Sequence, residues 1–277
     1  MKIALTGGSG VVGRAILQEA QAQGHTVVNI DKVGPETVPA EGLSVAVDVT
    51  DYDALLDAMA GCDALIHMAA IPKPFRQPDH IVHNNNVVGS YNALRAAAEH
   101  GINRVCQASS VNAIGLSYSR APHFDYFPID EAHPTYAEDA YSVSKWICEQ
   151  QADAFVRCYE DMRIATLRLH WVVPHRMIAY RGSDVSSARK DLWGYVSSGA
   201  AARAALLGLE PNFRGHEVFY IVAPDTSCDT PSRDLAQEFY PEVPILGDLR
   251  HNSGFFNTAK AERVLGWVHQ TEAMTPE

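Results

Sequence analysis

The chain has 277 residues, a formal charge of -11 and 47% hydrophobic residues, which suits one sizeable α/β core and argues against a disordered chain. The acidic balance repels a phosphate backbone and no run of Lys and Arg forms a basic stripe, so nucleic acid is excluded as a partner. Cys62, Cys106, Cys148, Cys158 and Cys228 lack the short paired spacing of a disulfide or zinc framework, and no stretch reaches the roughly 18 apolar residues of a membrane span. A reduced cytoplasmic setting with no membrane partner and no metal is expected.

The first element is a short apolar strand over residues 2–6. A glycine turn separates it from a helix over residues 11–23, in which Val12, Ile16 and Leu17 fall at helical spacing. Strands follow at 26–30 and 43–47, then a helix at 52–60 and a strand at 64–68. A long helix near 81–99, a strand at 104–108, a helix at 141–159 and a strand at 164–169 continue the alternation. Strands alternating with helices of this length predict a doubly wound parallel α/β sheet of the Rossmann type, because each parallel crossover needs a returning helix. Beyond residue 170 Pro174, Pro211, Pro224, Pro231, Pro241 and Pro244 break the pattern into short pieces. Residues 1–170 therefore read as the dinucleotide-binding core, and 171–277 as a small C-terminal substrate-side lobe interleaved with it.

Thr6-Gly7-Gly8-Ser9-Gly10-Val11-Val12-Gly13 lies between the first strand and first helix. There exposed backbone N–H groups and the positive helix end suit a dinucleotide pyrophosphate. Two registers fit: Gly8, Gly10 and Gly13, or Gly7, Gly10 and Gly13. Asp31 ends the second strand about 20 residues further on, where a carboxylate accepts from the adenosine ribose hydroxyls and favours NAD over NADP. Lys32 works against that preference, since its ammonium could approach a 2'-phosphate.

Tyr141-Ser142-Val143-Ser144-Lys145 places a phenol and an ammonium four residues apart, on one face of one helix. A free phenol, with a pKa of about 10, is a poor base at neutral pH, but a neighbouring cation stabilises the phenolate. Tyr141 is then positioned to take the proton of an alcohol as hydride leaves its carbon. Ser109-Ser110 follows the strand at 104–108, at the carboxyl sheet edge where doubly wound folds bind ligands, so Ser110 is expected to orient the reacting hydroxyl.

With these motifs the chain resembles the short-chain dehydrogenase/reductase superfamily, in its extended branch of NAD-dependent epimerases and dehydratases. Asp48-Val49 resembles that branch's adenine-contacting acidic pair, His67-Met68-Ala69-Ala70 its loop beneath the nicotinamide ribose, and Asn85-Asn86-Val87-Val88-Gly89-Ser90 its Asn-rich helix segment. The likeness runs from Met1 to about His175 and returns at Phe256-Asn257-Thr258-Ala259-Lys260 and Val264-Leu265-Gly266-Trp267. It implies NAD as cofactor and Ser110, Tyr141 and Lys145 as the catalytic set. Asn85 would lie near the cofactor, Asn86 would support the hydrogen bonding of Lys145, and His170 would touch the nicotinamide. It also implies a homodimer through the helices near 81–99 and 141–159.

Within this resemblance a dehydratase is disfavoured, because Val111-Asn112-Ala113 stands where that activity places an Asp-Glu pair. Arg168-Leu169-His170-Trp171-Val172-Val173-Pro174 departs from the Asn-containing segment of nucleotide-sugar epimerases. Residues 108–115, with Asn112 among them, resemble the corresponding loop of uronate dehydrogenases. The leading expectation is NAD-linked hydride transfer at a sugar or sugar-acid carbinol, with a carbohydrate-like small molecule as substrate. A UDP-sugar 4-epimerase with bound NAD is the alternative, and a dinucleotide-sensing regulator without chemistry is the second. Trp171 is expected to line the substrate pocket, and Arg176 or Arg189 to clamp a carboxylate. The aromatic loop at 116–136, with Tyr118, His123, Phe124, Tyr126, Phe127 and His133, is expected to cover the substrate.

Overall fold

The computed structural model describes residues 1–33, 43–182, 184–210 and 212–270; of the proline breaks, Pro211 lies outside them. Its order is β1 (Lys2–Thr6), α1 (Val11–Ala22), β2 (Thr26–Asp31), β3 (Leu43–Ala46), α2 (Tyr52–Ala58), β4 (Ala64–His67), α3 (Asp79–Glu99), β5 (Arg104–Ser110) and α4 (Ala140–Cys158). There follow β6 (Arg163–Leu169), β7 (Val172–Val173), α5 (Arg176–Ala179), β8 (Val196–Ser197), α6 (Ser198–Leu207), β9 (Gly215–Ile221), α7 (Ser232–Phe239) and α8 (Ala259–Leu265). Single 3-10 turns occupy Val111–Ile114 and Ser186–Asp191.

Seven strands form one sheet in the order β3-β2-β1-β4-β5-β6-β9, and every pairing along it is parallel. The chain winds outward from β1 in one direction, then restarts at β4 and winds outward in the other. The carboxyl ends of β1 and β4 therefore open a crevice at the switch point, where backbone is free to meet a ligand. β9 joins the main sheet beside β6, with Leu169 opposite Ile221, so the segment beyond residue 170 contributes a strand as well as short pieces.

Alternation along each strand sends neighbouring side chains to opposite faces. Ile3, Leu5, Ile66, Leu167 and Phe219 meet α1, α6 and α8 on one face. Ala4, Val28, Leu65, Val105 and Ile164 meet α2, α3 and α4 on the other. Ala200, Ala201, Ala204 and Ala205 of α6 are fully buried on the first face, where side chains this small let α6 approach closely. A third cluster holds the C-terminal segments down, with Val111, Ile114, Phe127, Trp193, Tyr220 and Phe255.

Element ends depart from the sequence pattern where tertiary partners act. β5 runs on through Ser109 and Ser110, because β6 offers Arg168 and Leu169 as parallel partners. α3 starts at Asp79, with Pro78 as its cap residue, and α4 starts at Ala140 because the Asp139 carboxylate accepts from Tyr141 N and Ser142 N, both at 3.0 Å. Among the described residues, no helix is long and apolar enough to cross a membrane.

Candidate active site

Helix α1 opens at Gly10 with no side-chain cap, so the N–H groups of Val11, Val12 and Gly13 have no partner within the helix. The turn before it is sterically tight. Gly7 has φ of +75°, and a Cβ there would lie 2.6 Å from Ala69 N; a Cβ on Gly13 would lie 2.2 Å from the Gly7 carbonyl oxygen. At Gly10 the nearest atom to a Cβ is Gly7 O at 3.3 Å. Gly10 is exposed, so its bare backbone leaves the open side of the turn to a ligand. This donor set and clearance fit a dinucleotide pyrophosphate.

The Asp31 carboxylate accepts from Ser9 N at 3.0 Å and Val33 N at 3.2 Å, tying the end of β2 to the glycine turn. Lys32, which sequence alone left free to meet a 2'-phosphate, is held instead by Asp48 at 2.7 Å. Asp48 also accepts from Thr50 N and Oγ1. Val49 is buried against Gly89 of α3, whose added Cβ would meet Val49 Cγ2 at 2.6 Å.

Beyond this crevice lies a cavity of about 570 Å³, lined by Val11, Val12, Met68 and Ala70 from the cofactor side and by Ser110, Asn112, Tyr141, Lys145, His170 and Trp171. Ala69 is tied to β1 through Thr6 Oγ1 at 3.3 Å, and Asn85 Nδ2 donates to Asn86 Oδ1 at 3.2 Å. Ser110 Oγ accepts from Asn112 N at 3.1 Å and Nδ2 at 3.3 Å. Its own O–H is thereby left to donate, and it lines the same cavity as the Tyr141 phenol, whose ionisation it favours. Lys145 Nζ donates to the Ala108 carbonyl oxygen at 2.8 Å and lies 6.0 Å from the centre of the Tyr141 ring.

Burial sets the resting charge state of these groups. It pushes the Tyr141 phenol up, against the hydrogen bond with Ser110, which pulls it down. Burial also lowers the Lys145 ammonium, against Cys148 and Glu149, which raise it. His67, beneath the site, is driven to about 3 by burial and by Lys145, and His170 to about 4 by burial. Both imidazoles are therefore neutral, and because His170 Nδ1 accepts from Trp171 N at 2.6 Å, its Nε2–H donates to Asp191 O at 2.8 Å.

The Asn86 side chain bridges the loop after β4 and the Tyr-Lys helix. It accepts from Ile71 N at 2.8 Å and donates to Ser144 Oγ at 3.0 Å. Its reach is thus to Ser144, between Tyr141 and Lys145, and not to the lysine itself. Glu149, one turn beyond Lys145, accepts from Ser109 Oγ at 2.6 Å and is paired with Arg168 at 2.8 Å, both ends buried.

The substrate-side expectations divide. Asn112 and Trp171 line the cavity, whereas Arg176 and Arg189 do not. Arg176 is engaged elsewhere, donating to Asp225 at 2.8 Å and to the Thr226 carbonyl at 3.0 Å; Arg189 is exposed. Arg181 is the guanidinium that lines the cavity, stacked 4.6 Å over the Trp171 ring. Of the aromatic loop, Tyr118 reaches the cavity and meets Tyr141 edge-on at 5.8 Å, while Phe124 and Phe127 are buried against Tyr240. Lys73, Arg181 and Asp191 were not singled out from sequence, and no local pattern marks them, since their positions depend on how the loops fold over the sheet.

Fold and site together define a dinucleotide-binding α/β protein with a Ser-Tyr-Lys cluster at its switch-point edge. Residues 3–187 match the NAD dependent epimerase/dehydratase family; the chain belongs to that family of NAD-dependent enzymes, and NAD is its cofactor. Similar curated proteins include L-arabinose 1-dehydrogenase (NAD(P)(+)) of Haloferax volcanii, 32% identical over 180 residues, covering 62% of this chain and 67% of that protein. An N-acetyl-alpha-D-glucosaminyl-diphospho-ditrans,octacis-undecaprenol 4-epimerase of Escherichia coli O157:H7 is 31% identical over 266 residues, 88% of this chain and 74% of that one. The likeness to uncharacterized mycobacterial proteins, at 38% identity, spans 40% of this chain but only 12% of theirs. A solved structure of a mutated uronate dehydrogenase superposes with a TM-score of 0.71 at 23% identity, covering 97% of this chain and 81% of that one, a likeness of fold.

Proposed function

We propose that the protein transfers hydride between a sugar or sugar-acid carbinol and NAD, with Tyr141 as general base. The observation that carries this reading is the meeting of Ser110, Tyr141 and Lys145 in one cavity beside the glycine turn. NAD, when bound, supplies the hydride acceptor. The first N–H groups of α1 would hold its pyrophosphate, Asp31 its adenosine ribose, and Lys145 with Asn85, Met68, Ala69 and Ala70 its nicotinamide end near His170.

In the oxidative direction the substrate hydroxyl sits between Ser110 and Tyr141. Ser110 donates to its oxygen, and the Tyr141 phenolate takes its proton as the C–H bond gives up hydride. A ketone, aldehyde or lactone, reduced cofactor and one proton result. Buried, the phenol is protonated at rest, so the Lys145 charge is needed to bring the phenolate within reach. Arg181, in place of Arg176 or Arg189, would meet a substrate carboxylate, with Trp171 as its stacking platform.

Ile81, Val88 and Tyr91 of α3 and Trp146 of α4 are exposed and fall on the two helices expected to pair in a homodimer; sedimentation would show a mass twice that of the chain. The reaction is tested by incubating the protein with NAD and a panel of uronic acids, aldoses and polyols. Growth of NADH absorbance with one of them is expected. Interconversion of UDP-sugars without net NADH would instead favour the 4-epimerase, and cofactor binding without turnover across the panel would favour the sensor.

A further inference from the structure

The cavity has one acid among its lining residues, Asp191, beside three cations, Lys73, Lys145 and Arg181. Asp191 closes a 3-10 turn and is followed by Leu192 with φ of +54° and Trp193 with φ of +54°. Two successive side-chain-bearing residues in the left-handed region are costly for an L-chain. Here they are held by packing: Leu192 and Trp193 are fully buried, and Trp193 Nε1 donates to the Val185 carbonyl at 2.6 Å. Such a strained turn persists only where its surroundings enforce it, and strain of this kind concentrates at ligand sites.

The turn fixes Asp191 from two directions. Its carbonyl accepts from His170 Nε2 at 2.8 Å, and its Oδ1 accepts from Trp193 N at 3.2 Å. The carboxylate also faces its own N–H; among the described residues no other donor is bonded to Oδ2, which leaves that oxygen to an occupant of the cavity. The ordinary explanation, an ion pair with Arg181, is not made: the described ion pairs within 4.0 Å place no cation on Asp191. Burial raises this carboxyl to about 6, against Arg181 and the Trp193 N–H, which lower it, so at neutral pH it is mainly a carboxylate and an acceptor.

We infer that Asp191 is a specificity-determining residue that accepts a hydrogen bond from a substrate hydroxyl other than the reacting one, so that the cavity selects polyhydroxylated carbinols over aliphatic ones. The inference rests on the sugar reading above and deepens it. A substrate ammonium would also suit a carboxylate, but Lys73, Lys145 and Arg181 already make the cavity cationic and oppose a further positive charge. A hydroxyl carries no such penalty, and an acceptor left without it in a buried site loses the full value of the contact.

The test is saturation-transfer NMR on NADH-loaded protein, wild type and Asp191→Asn, with D-galactose, D-glucose, L-arabinose, their monodeoxy analogues and cyclohexanol. Asparagine keeps an acceptor for the Trp193 N–H, and Asp191→Ala serves as a second variant. At least one sugar is expected to bind the wild type, and removing one of its hydroxyls to weaken binding about 10- to 100-fold. Asp191→Asn should cost the parent sugar about as much, and the matching deoxy analogue nothing further. Equal losses for all probes including cyclohexanol, unchanged sugar binding in both variants, or no sugar binding to the wild type would overturn it. Sugars that bind through Asp191 but are never oxidised would remove the proposed reaction and leave this inference standing. Sugars oxidised equally well by Asp191→Asn would do the reverse.

Discussion

Lys145 Nζ donates to the carbonyl oxygen of Ala108 at 2.8 Å, so the only cation on the Tyr141 face of α4 is anchored to the strand that carries Ser110. The bond spans sheet and helix and fixes the ammonium 6.0 Å from the centre of the phenol ring, from where, in the proposed mechanism, its charge would favour the phenolate. Replacing Lys145 by Met should lower kcat/KM for NAD-linked oxidation about 100-fold or more. The pH at which kcat/KM rises should also move upward, because the phenol loses the cation that helps it ionise. An unchanged pH profile in Lys145→Met would show that the lysine acts only through the cofactor.

The glycine turn separates steric need from ligand need. A Cβ at position 13 would lie 2.2 Å from Gly7 O, whereas one at position 10 meets nothing nearer than 3.3 Å. Gly13→Ala should therefore lower both stability and NAD affinity. Gly10→Ala should leave the melting temperature within about 2 °C, the shift of a fraction of a kcal/mol, while weakening NAD binding about tenfold or more. Calorimetry with and without NAD reads both effects.

Cofactor choice turns on a contact that local sequence hid. Lys32 is paired with Asp48 at 2.7 Å, which withholds its ammonium from a 2'-phosphate. Asp48→Asn should raise kcat/KM for NADP about threefold, in keeping with an exposed ion pair. Asp31→Ala, which removes the carboxylate expected at the adenosine ribose, should raise KM for NAD about tenfold and narrow the preference over NADP. Steady-state kinetics with both cofactors measures the two changes.

Acid stability follows from the buried titratable groups. His67 and His170 titrate at about 3 and about 4 when folded, below the usual 6.5, so below pH 6.5 the unfolded chain binds protons the folded one excludes. Each histidine then costs about 1.4 kcal/mol of stability per pH unit on acidification. Asp191 works in the opposite sense: folded it titrates at about 6, above the usual 3.8, so between pH 6 and 4 it returns about 1.4 kcal/mol per unit. Asp191→Asn should thus lose stability more steeply than wild type over that range in urea titrations. Parallel curves would contradict the burial of this carboxyl.

The repeating part of the fold was legible in the sequence because periodicity reports it directly. Ile3 and Leu5 alternate with Ala4, and Val12, Ile16 and Leu17 repeat at helical spacing, so β1 and α1 appear where the pattern places them. The region after residue 170 was less legible. The Ala-rich α6 and the strand β9 are set among proline breaks, and their partners, α1 and β6, are distant in sequence. Tyr141, Lys145 and Ser110 were visible because they lie on regular elements whose direction is fixed by the sheet. Arg181 and Asp191 were not, because loops deliver them, and a guanidinium at 176 or 189 looks the same in sequence as one at 181.

The central claim concerns Tyr141, and the most direct measurement compares Tyr141→Phe with the wild type in NADH formation from the preferred sugar and in NADH binding by fluorescence. The account predicts a loss of turnover of at least about 1,000-fold, the upper part of the range for a general base, with NADH affinity retained within a few-fold. Turnover within about tenfold of the wild type, in a variant that binds NADH normally, would contradict Tyr141 as the base.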